Sequence, residues 1–324
     1  MSNPAPIGQR DDPEMPRYGG IATYALLPRL EEVGHADVAV LGVPFDSGTS
    51  FRPGARFGPA HIRENSRQLH PYHQFLDVYP FSCQQVADAG DVAIGPYDIH
   101  RAVAKIETAA RHLAEAGTRI VALGGDHTIA LPLLRAAAAA DGPLAVLHFD
   151  AHLDTWDTCH GESVWHGSPF RRAAEEGTID LDHCQHVGTR GGVHDPGELA
   201  EDRRAGFERI VSQDFEDRSI SDIVAQIRRR LGTRPVYVSV DIDVLDPAHA
   251  PATGTPEVGG LTTRELFGTL RGLSGLNIVG CDIVEVAPAY DHADITGLVA
   301  AHAAWELISL IALGKHKAPS PATG

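Results

Sequence analysis

Two hydrophobic periods alternate along the chain. Short runs rich in valine and isoleucine read as strands buried on both faces. They are Asp37–Gly42 (DVAVLG), Arg119–Leu123 (RIVAL), Leu144–Phe149 (LAVLHF), Pro235–Val240 (PVYVSV) and Asn277–Val284 (NIVGCDIV). Between them the apolar residues recur at helical spacing. In Ile99–Gly117 the residues Ile99, Val103, Ile106 and Leu113 share one face, and Gly117 supplies the stop. In Ser221–Leu231 the residues Ile223, Val224, Ile227 and Leu231 do the same, and Thr262–Leu273 and Ile295–Leu313 are further helices. The most apolar stretch, Leu298 to Leu313, contains His302 and Glu306, which predicts a buried amphipathic helix and not a membrane span. Strands alternating with helices predict an α/β fold: a single-domain, three-layer sandwich around a mostly parallel sheet. Four prolines mark residues 1–20 as an N-terminal arm; residues 21–314 form the domain, and residues 315–324 a frayed tail.

Composition narrows the partners. Apolar residues at 43% and charged residues at 22% are ordinary for a globular chain, which excludes bulk disorder. The formal charge of −16 argues against non-specific binding to nucleic acid or to anionic membranes. Cys83, Cys159, Cys184 and Cys281 form no C-x-x-C pair, so neither a zinc ribbon nor a thioredoxin motif is expected. Free thiols and the absence of a basic-then-apolar leader point to the cytoplasm.

The acidic and imidazole residues cluster where chemistry is expected. Gly124-Gly125-Asp126-His127 follows the run RIVAL, Asp150-Ala151-His152-Leu153-Asp154 follows LAVLHF, Asp241-Ile242-Asp243 continues PVYVSV, and Glu285 ends NIVGCDIV. Ligands of open α/β sheets bind at the carboxyl ends of the strands, so the four clusters should converge. In extended chain, residues i, i+2 and i+4 face one side, which lets Asp150, His152 and Asp154 share a target, and likewise Asp241 and Asp243. With His127 this gives four carboxylates and two imidazoles. Packed together without a cation, the carboxylates would repel and hold protons. Six ligands are too many for one ion that keeps an open position, and they suit two ions bridged by carboxylates. Oxygen-rich ligation favours Mn²⁺ over Zn²⁺. Any one cluster alone reads as a cap or a loop; three at consecutive strand ends carry the metal reading.

At these residues the chain resembles the ureohydrolases, the family of arginase and agmatinase, and in detail the bacterial agmatinase branch. Three signatures carry the likeness: GGDHT at Gly124–Thr128, DAHLDT at Asp150–Thr155, and SVDIDVLDPAHAPATGTPEVGGLT at Ser239–Thr262. FRPGARFGP at Phe51–Pro59, the segment His166–Phe170 and the segment Glu285–Asp291 extend it, and it spans residues 16 to 313. The resemblance implies the arginase/deacetylase-like fold and two Mn²⁺ per subunit. His127, Asp150, Asp154 and Asp241 would bind one ion and Asp150, His152, Asp241 and Asp243 the other, with Asp150 and Asp241 bridging. It implies that Glu285 holds the guanidinium group, that Asp154 carries a proton to the leaving amine, that His166 exchanges protons with solvent, and that Asp126 orients His127. Urea and a primary amine would be the products. A homo-oligomer, a trimer or hexamer, is implied as well.

The substrate is the open point. The loop Trp156–Trp165 (WDTCHGESVW) departs from the family's usual look and lies between the metal motif and His166. Between Asp154 and Phe170 there is no Lys or Arg, while Asp157 and Glu162 are present, which favours a cationic or neutral far end. Agmatine, giving putrescine, is therefore expected first, and 4-guanidinobutyrate or another guanidinoalkanoate second. A single-zinc deacetylase-type hydrolase is the rival chemistry; His127 and the Asp241/Asp243 pair argue for two ions instead. A non-enzymatic relative would have lost a ligand, and all six stand here. His61, His70, His73, His292 and His302 are expected to be structural or at the surface. Arg190 is expected in a core salt bridge, and Trp165 either against the substrate stem or as a loop anchor.

Overall fold

The computed structural model describes residues 5–10 and 12–315. Among the described residues, eight strands form one sheet: β1 (Val38–Val43), β2 (Val86–Asp91), β3 (Arg119–Gly124), β4 (Ala145–Phe149), β5 (Cys184–Thr189), β6 (Phe207–Val211), β7 (Val236–Asp241) and β8 (Ile278–Val284). Every neighbouring pair is parallel, and the order across the sheet is β2-β1-β3-β8-β7-β4-β5-β6. The five apolar runs read as strands fall within a residue of β1, β3, β4, β7 and β8. Those strands fill central positions, where both faces are covered and an unbroken apolar run is required. The two edge strands, β2 (VADAGD) and β6 (FERIV), have exposed or half-exposed positions and no such run, so the pattern did not announce them.

The principal helices are α1 (Gly58–Ser66), α2 (Ile99–Glu115), α3 (Ala130–Asp141), α4 (Pro169–Glu175), α5 (Pro196–Arg204), α6 (Ile220–Leu231), α7 (Thr263–Arg271) and α8 (Ile295–Lys315). Alternate strand residues separate two cores. Val38, Val40, Val238 and Val240 face Ile62 of α1, Ile223 and Ile227 of α6, Leu266 of α7 and Leu307 of α8. Ala39, Leu41 and Val146 face Ala102 and Ile106 of α2, Leu133 of α3 and Phe170 of α4. Helix α2 starts where Asp98 accepts the N–H of Arg101 and stops before Gly117, whose φ of 79° the left-handed stop requires. The predicted stripe is borne out: Val103, Ile106 and Leu113 are buried.

Helix α8 departs from the amphipathic expectation. It is long and apolar enough to cross a membrane, but 72% of its most apolar window is buried inside the fold, so it is a core helix. Glu306 does not mark a solvent face. It is 2% exposed and accepts hydrogen bonds from Arg271 and His73. Residues 5–10 and 12–20 carry no helix or strand and lie against the body. There the Gln9 amide donates to the carbonyls of Ala25 and Leu69, and Arg17 to those of Arg67 and Leu69. The tail expected from 315 onward lies, from 316, outside the described residues.

Candidate metal centre and substrate cleft

The four clusters leave the sheet from β3, β8, β7 and β4, four strands adjacent in that order. Sequence neighbours are not sheet neighbours here, because β8 and β7 insert between β3 and β4. Local geometry then aims each side chain. Gly125 passes so close to the Phe45 carbonyl that a Cβ would lie 1.7 Å from its oxygen, so only glycine fits. Asp126 caps the turn His127–Ile129 by accepting the N–H of Thr128. Asp241 caps the turn Ile242–Val244 by accepting the N–H of Asp243. Asp154 (φ 52°) and Glu285 (φ 63°) both hold left-handed backbone, an uncommon state for residues with a Cβ and one that recurs at functional sites.

All six expected ligands converge. His127 Nδ1 lies 2.8 Å from Asp154 Oδ2, 3.2 Å from Asp150 Oδ2 and 3.3 Å from Asp241 Oδ2. His152 Nδ1 lies 3.0 Å from Asp243 Oδ2 and 3.2 Å from Asp150 Oδ1. At this centre two groups have all ligand atoms within 4.8 Å of one another: His127, His148, Asp150 and Asp154; and Asp150, His152 and Asp243. Asp150 belongs to both, as a bridging ligand must. Asp241 approaches His127 of the first group but stands outside both groups at that closeness. His148 was not foreseen. The period-two argument that joined residues 150, 152 and 154 also reaches 148, and that was the available signal.

The donor set fits divalent cations on an observation independent of family. The Ser239 hydroxyl donates to Asp282 Oδ1 at 2.6 Å, so its oxygen accepts from His127 Nε2 at 2.8 Å. That leaves a lone pair on His127 Nδ1, which faces three carboxylate oxygens. Nδ1 and Asp150 Oδ2 are both buried without a hydrogen-bond partner. Lone pairs converging in a buried site call for a cation between them. Asp126 does not orient this ring. It accepts the N–H groups of Gly48 and Thr128, and the orienting pair is Ser239 with Asp282, steadied by Tyr237 Oη.

The carboxylates report the same crowding. Burial, then Asp243 and Asp150, raise Asp241 well above the usual carboxylate range. Burial and then Asp150 carry Asp243 to about 6, and burial and then Glu285 carry Asp126 to about 7. Burial opposes the charged forms of His127 and His152, yet the surrounding aspartates raise both. The metal-free folded chain therefore holds protons that the unfolded chain has released by about pH 4 for Asp and about pH 6.5 for His. Its stability falls as pH rises through that window. A divalent cation displaces those protons, so its stabilisation grows with pH. Chelator-treated protein should melt at lower temperature at about pH 8 than at about pH 5, and Mn²⁺ should raise the melting temperature more at pH 8. Equal gains at both pH values would contradict this account.

Next to the centre, Glu285 Oε1 accepts from the backbone N–H of His127 and from His166 Nδ1, both at 2.9 Å. Its Oε2 is buried without a partner. His166 Nε2 receives the Ser50 N–H at 3.1 Å and lies 2.7 Å from Ser50 Oγ, so this arrangement places one proton on the ring, at Nδ1. Burial resists a second proton, but Glu285, Asp154 and Asp126 favour it and carry the ring's pKa to about 9. At that value the metal-free ring favours a second proton at neutral pH and releases it on the alkaline side, unless a cation shields the carboxylates around it.

A cleft of about 700 Å³ opens from Asp154, Asp241, His152 and His166 to the loop 156–165 and the start of α5. Trp156 and Trp165 lie nearly parallel, 25° apart with centroids at 6.0 Å, and both line the cleft. Trp156 Nε1 donates to Glu198 of α5. A Cβ on Gly167 would come within 2.3 Å of the Trp165 ring, so glycine there is what lets the ring lie down. Arg190 makes no core salt bridge. Its guanidinium donates to the carbonyls of Asp243, Leu245 and Glu257 and ties down the loop after β7. His61 bonds Asp291 and His73 bonds Glu306, away from the centre, while His70, His292 and His302 are exposed.

Comparison with known proteins agrees with this geometry. A family model described as the Arginase family matches residues 36–309. The chain is 42% identical to a guanidinobutyrase of Pseudomonas aeruginosa, over 92% of this chain and 94% of that protein. It is 40% identical to the mitochondrial agmatinase of Gallus gallus, over 90% of this chain and 86% of that protein. Among solved structures, the proclavaminate amidino hydrolase of Streptomyces clavuligerus superposes with a TM-score of 0.89 at 40% identity, over 92% of this chain and 99% of that one. Matched by the family model over most of its length and by relatives of nearly equal length, the chain belongs to the arginase family, as a ureohydrolase that cleaves guanidino C–N bonds.

Proposed function

We propose that the protein is a binuclear manganese ureohydrolase with agmatine as its preferred substrate. The observation that carries the substrate choice is the far wall of the cleft. It holds Asp157, Glu198, Glu201 and Glu257 and no lysine or arginine. Asp157 is paired with Arg172, and Glu201 lies 3.5 Å from Arg171, so those two are largely neutralised. Glu198 meets only His194 and the Trp156 indole, and Glu257 has His152 at 3.9 Å. A terminal ammonium suits such a wall, with the methylene stem lying along Trp156 and Trp165. A terminal carboxylate would face acids with no guanidinium to receive it.

His127, Asp150, Asp154 and Asp241 would hold one Mn²⁺ and Asp150, His152, Asp241 and Asp243 the other. The bound pair supplies a hydroxide at neutral pH, since coordination lowers the pKa of water to about 7, and steadies developing negative charge. Glu285 Oε2 accepts from the guanidinium N–H groups and fixes the reacting carbon over the centre. The substrate cation beside Glu285 also lowers the proton affinity of His166. Asp154 moves a proton to the leaving nitrogen, and the C–N bond to the alkyl chain breaks to give urea and a primary amine. His166, joined to Ser50 at the cleft, returns protons to solvent.

Urea release by Mn²⁺-loaded protein tests this reading, with agmatine, 4-guanidinobutyrate, 3-guanidinopropionate and arginine side by side. Agmatine should lead in kcat/KM by about tenfold or more, a difference worth about 1.4 kcal/mol. A lead for 4-guanidinobutyrate would assign the protein to the guanidino acids, the type of substrate for which the Pseudomonas relative is named.

A further inference from the structure

Behind Asp150 a row of buried polar side chains runs across the sheet, away from the cleft. His148 Nε2 of β4 lies 2.8 Å from Asp150 Oδ2, a close approach without a hydrogen bond, since both atoms are buried and partnerless. His148 Nδ1 lies 2.8 Å from Nδ1 of His186, its register partner on β5. His186 Nε2 lies 2.9 Å from Asp202 Oδ1 of α5. The same Asp202 oxygen accepts from Thr155 Oγ1 at 2.8 Å. Asp150, His148, His186 and Asp202 are each no more than 1% exposed.

The surroundings are dry. His148 packs on Phe170 with centroids 4.3 Å apart, and His186 stacks on Phe207 at 4.0 Å and 12°. A core needing only volume here would use apolar residues, because buried polar groups cost stability unless each is satisfied. The row is aimed, too. It ends at the one carboxylate shared by both ligand groups. Its other end is α5, whose Glu198 holds Trp156 while Asp202 holds Thr155, the two residues that follow Asp154.

We propose that Asp202, His186 and His148 are positioning residues: a chain of contacts packed behind Asp150 that fixes where its carboxylate stands in the ligand cluster and ties that place, through α5, to the wall of the substrate cleft. None of the three touches substrate. The carboxylate is supported from behind by packed side chains that are themselves fixed by hydrogen bonds, and loss of outer support of this kind weakens metal binding about 10- to 100-fold. The inference rests on the manganese site proposed above.

The test is Mn²⁺ titration of metal-free protein by calorimetry, with kcat and KM for agmatine measured at saturating Mn²⁺. His186→Phe keeps the stacking on Phe207 and removes both polar contacts. Asp202→Ala removes the anchor, and Asp202→Asn restores an acceptor for His186 and Thr155. His186→Phe and Asp202→Ala should each weaken Mn²⁺ binding about 10- to 100-fold. Both should lower kcat more than they change KM, and Asp202→Asn should recover most of the loss seen with alanine. Should His186→Phe fail to fold, the alanine and asparagine pair decides. The proposal is overturned if the variants that fold bind Mn²⁺ as the parent does and differ only in melting temperature. A parent protein that binds no Mn²⁺ at all would instead overturn the metal site itself.

Discussion

Asp150→Asn should abolish urea release, with kcat/KM falling about 10⁴-fold or more and fewer than two Mn²⁺ retained per chain. Asp150 is the only residue common to both ligand groups. Its Oδ1 accepts the N–H of His152 at 2.6 Å, and its Oδ2 faces His127 and His148. Burial works against its charge, but His148, His127 and His152 hold its carboxyl well below the usual range, so it is an anion ready to ligate. Asparagine has nearly the same shape but offers one oxygen and no charge, and it cannot bridge. Metal chemistry of this kind supplies several kcal/mol of transition-state stabilisation, at about 1.4 kcal/mol per tenfold in rate. Metal analysis and a urea assay on the same preparation check the result, with circular dichroism to confirm the fold. Two retained ions and near-parental turnover would sink the bridging role.

Glu285→Gln should cost roughly 2–5 kcal/mol, the usual loss for breaking a buried, hydrogen-bonded charge pair. That is about 30- to 5,000-fold in kcat/KM. Glu285 has two duties on two oxygens. Oε1 accepts from the His127 N–H and from His166, and Oε2 is buried and partnerless. Glutamine can keep its oxygen at the first position, so the fold survives. Its NH₂ then stands at the second, a donor facing the guanidinium's own donors. Weaker substrate binding should appear in KM, and misplacement of the carbon in kcat. A kcat/KM within threefold of the parent, with intact fold and metal content, would falsify the assignment of Oε2 to the guanidinium.

Much of this site was legible before any coordinates. The i, i+2, i+4 rule grouped Asp150, His152 and Asp154, and the motifs supplied His127, Asp241, Asp243, His166 and Glu285. What was misread came from contacts between strands. Asp126 was expected, from the family resemblance, to orient His127. The backbone instead turns its carboxylate to Gly48, and the ring is steered by Ser239 and Asp282 on β7 and β8. Arg190 was expected in an ion pair, and it binds carbonyls of a loop about 55 residues away, which no local pattern announces. Glu306 was read only as a sign that α8 is no membrane span, and the partners that satisfy it inside the fold, His73 and Arg271, come from distant segments.

By itself, the sequence determined the alternation of strands and helices, the central strands and the set of candidate ligands. These depend on local periodicity and on side-chain chemistry, which the chain carries residue by residue. The sheet order was decided only in three dimensions. Inserting β8 and β7 between β3 and β4 brings Asp241 within 3.3 Å of Nδ1 of His127, a residue more than a hundred positions earlier in the chain. The same packing supplied the supports, Ser239 with Asp282 on one side and His148, His186 and Asp202 on the other. A contact between strands depends on which strand lies beside which, and that choice is made by burying both faces of the sheet at once.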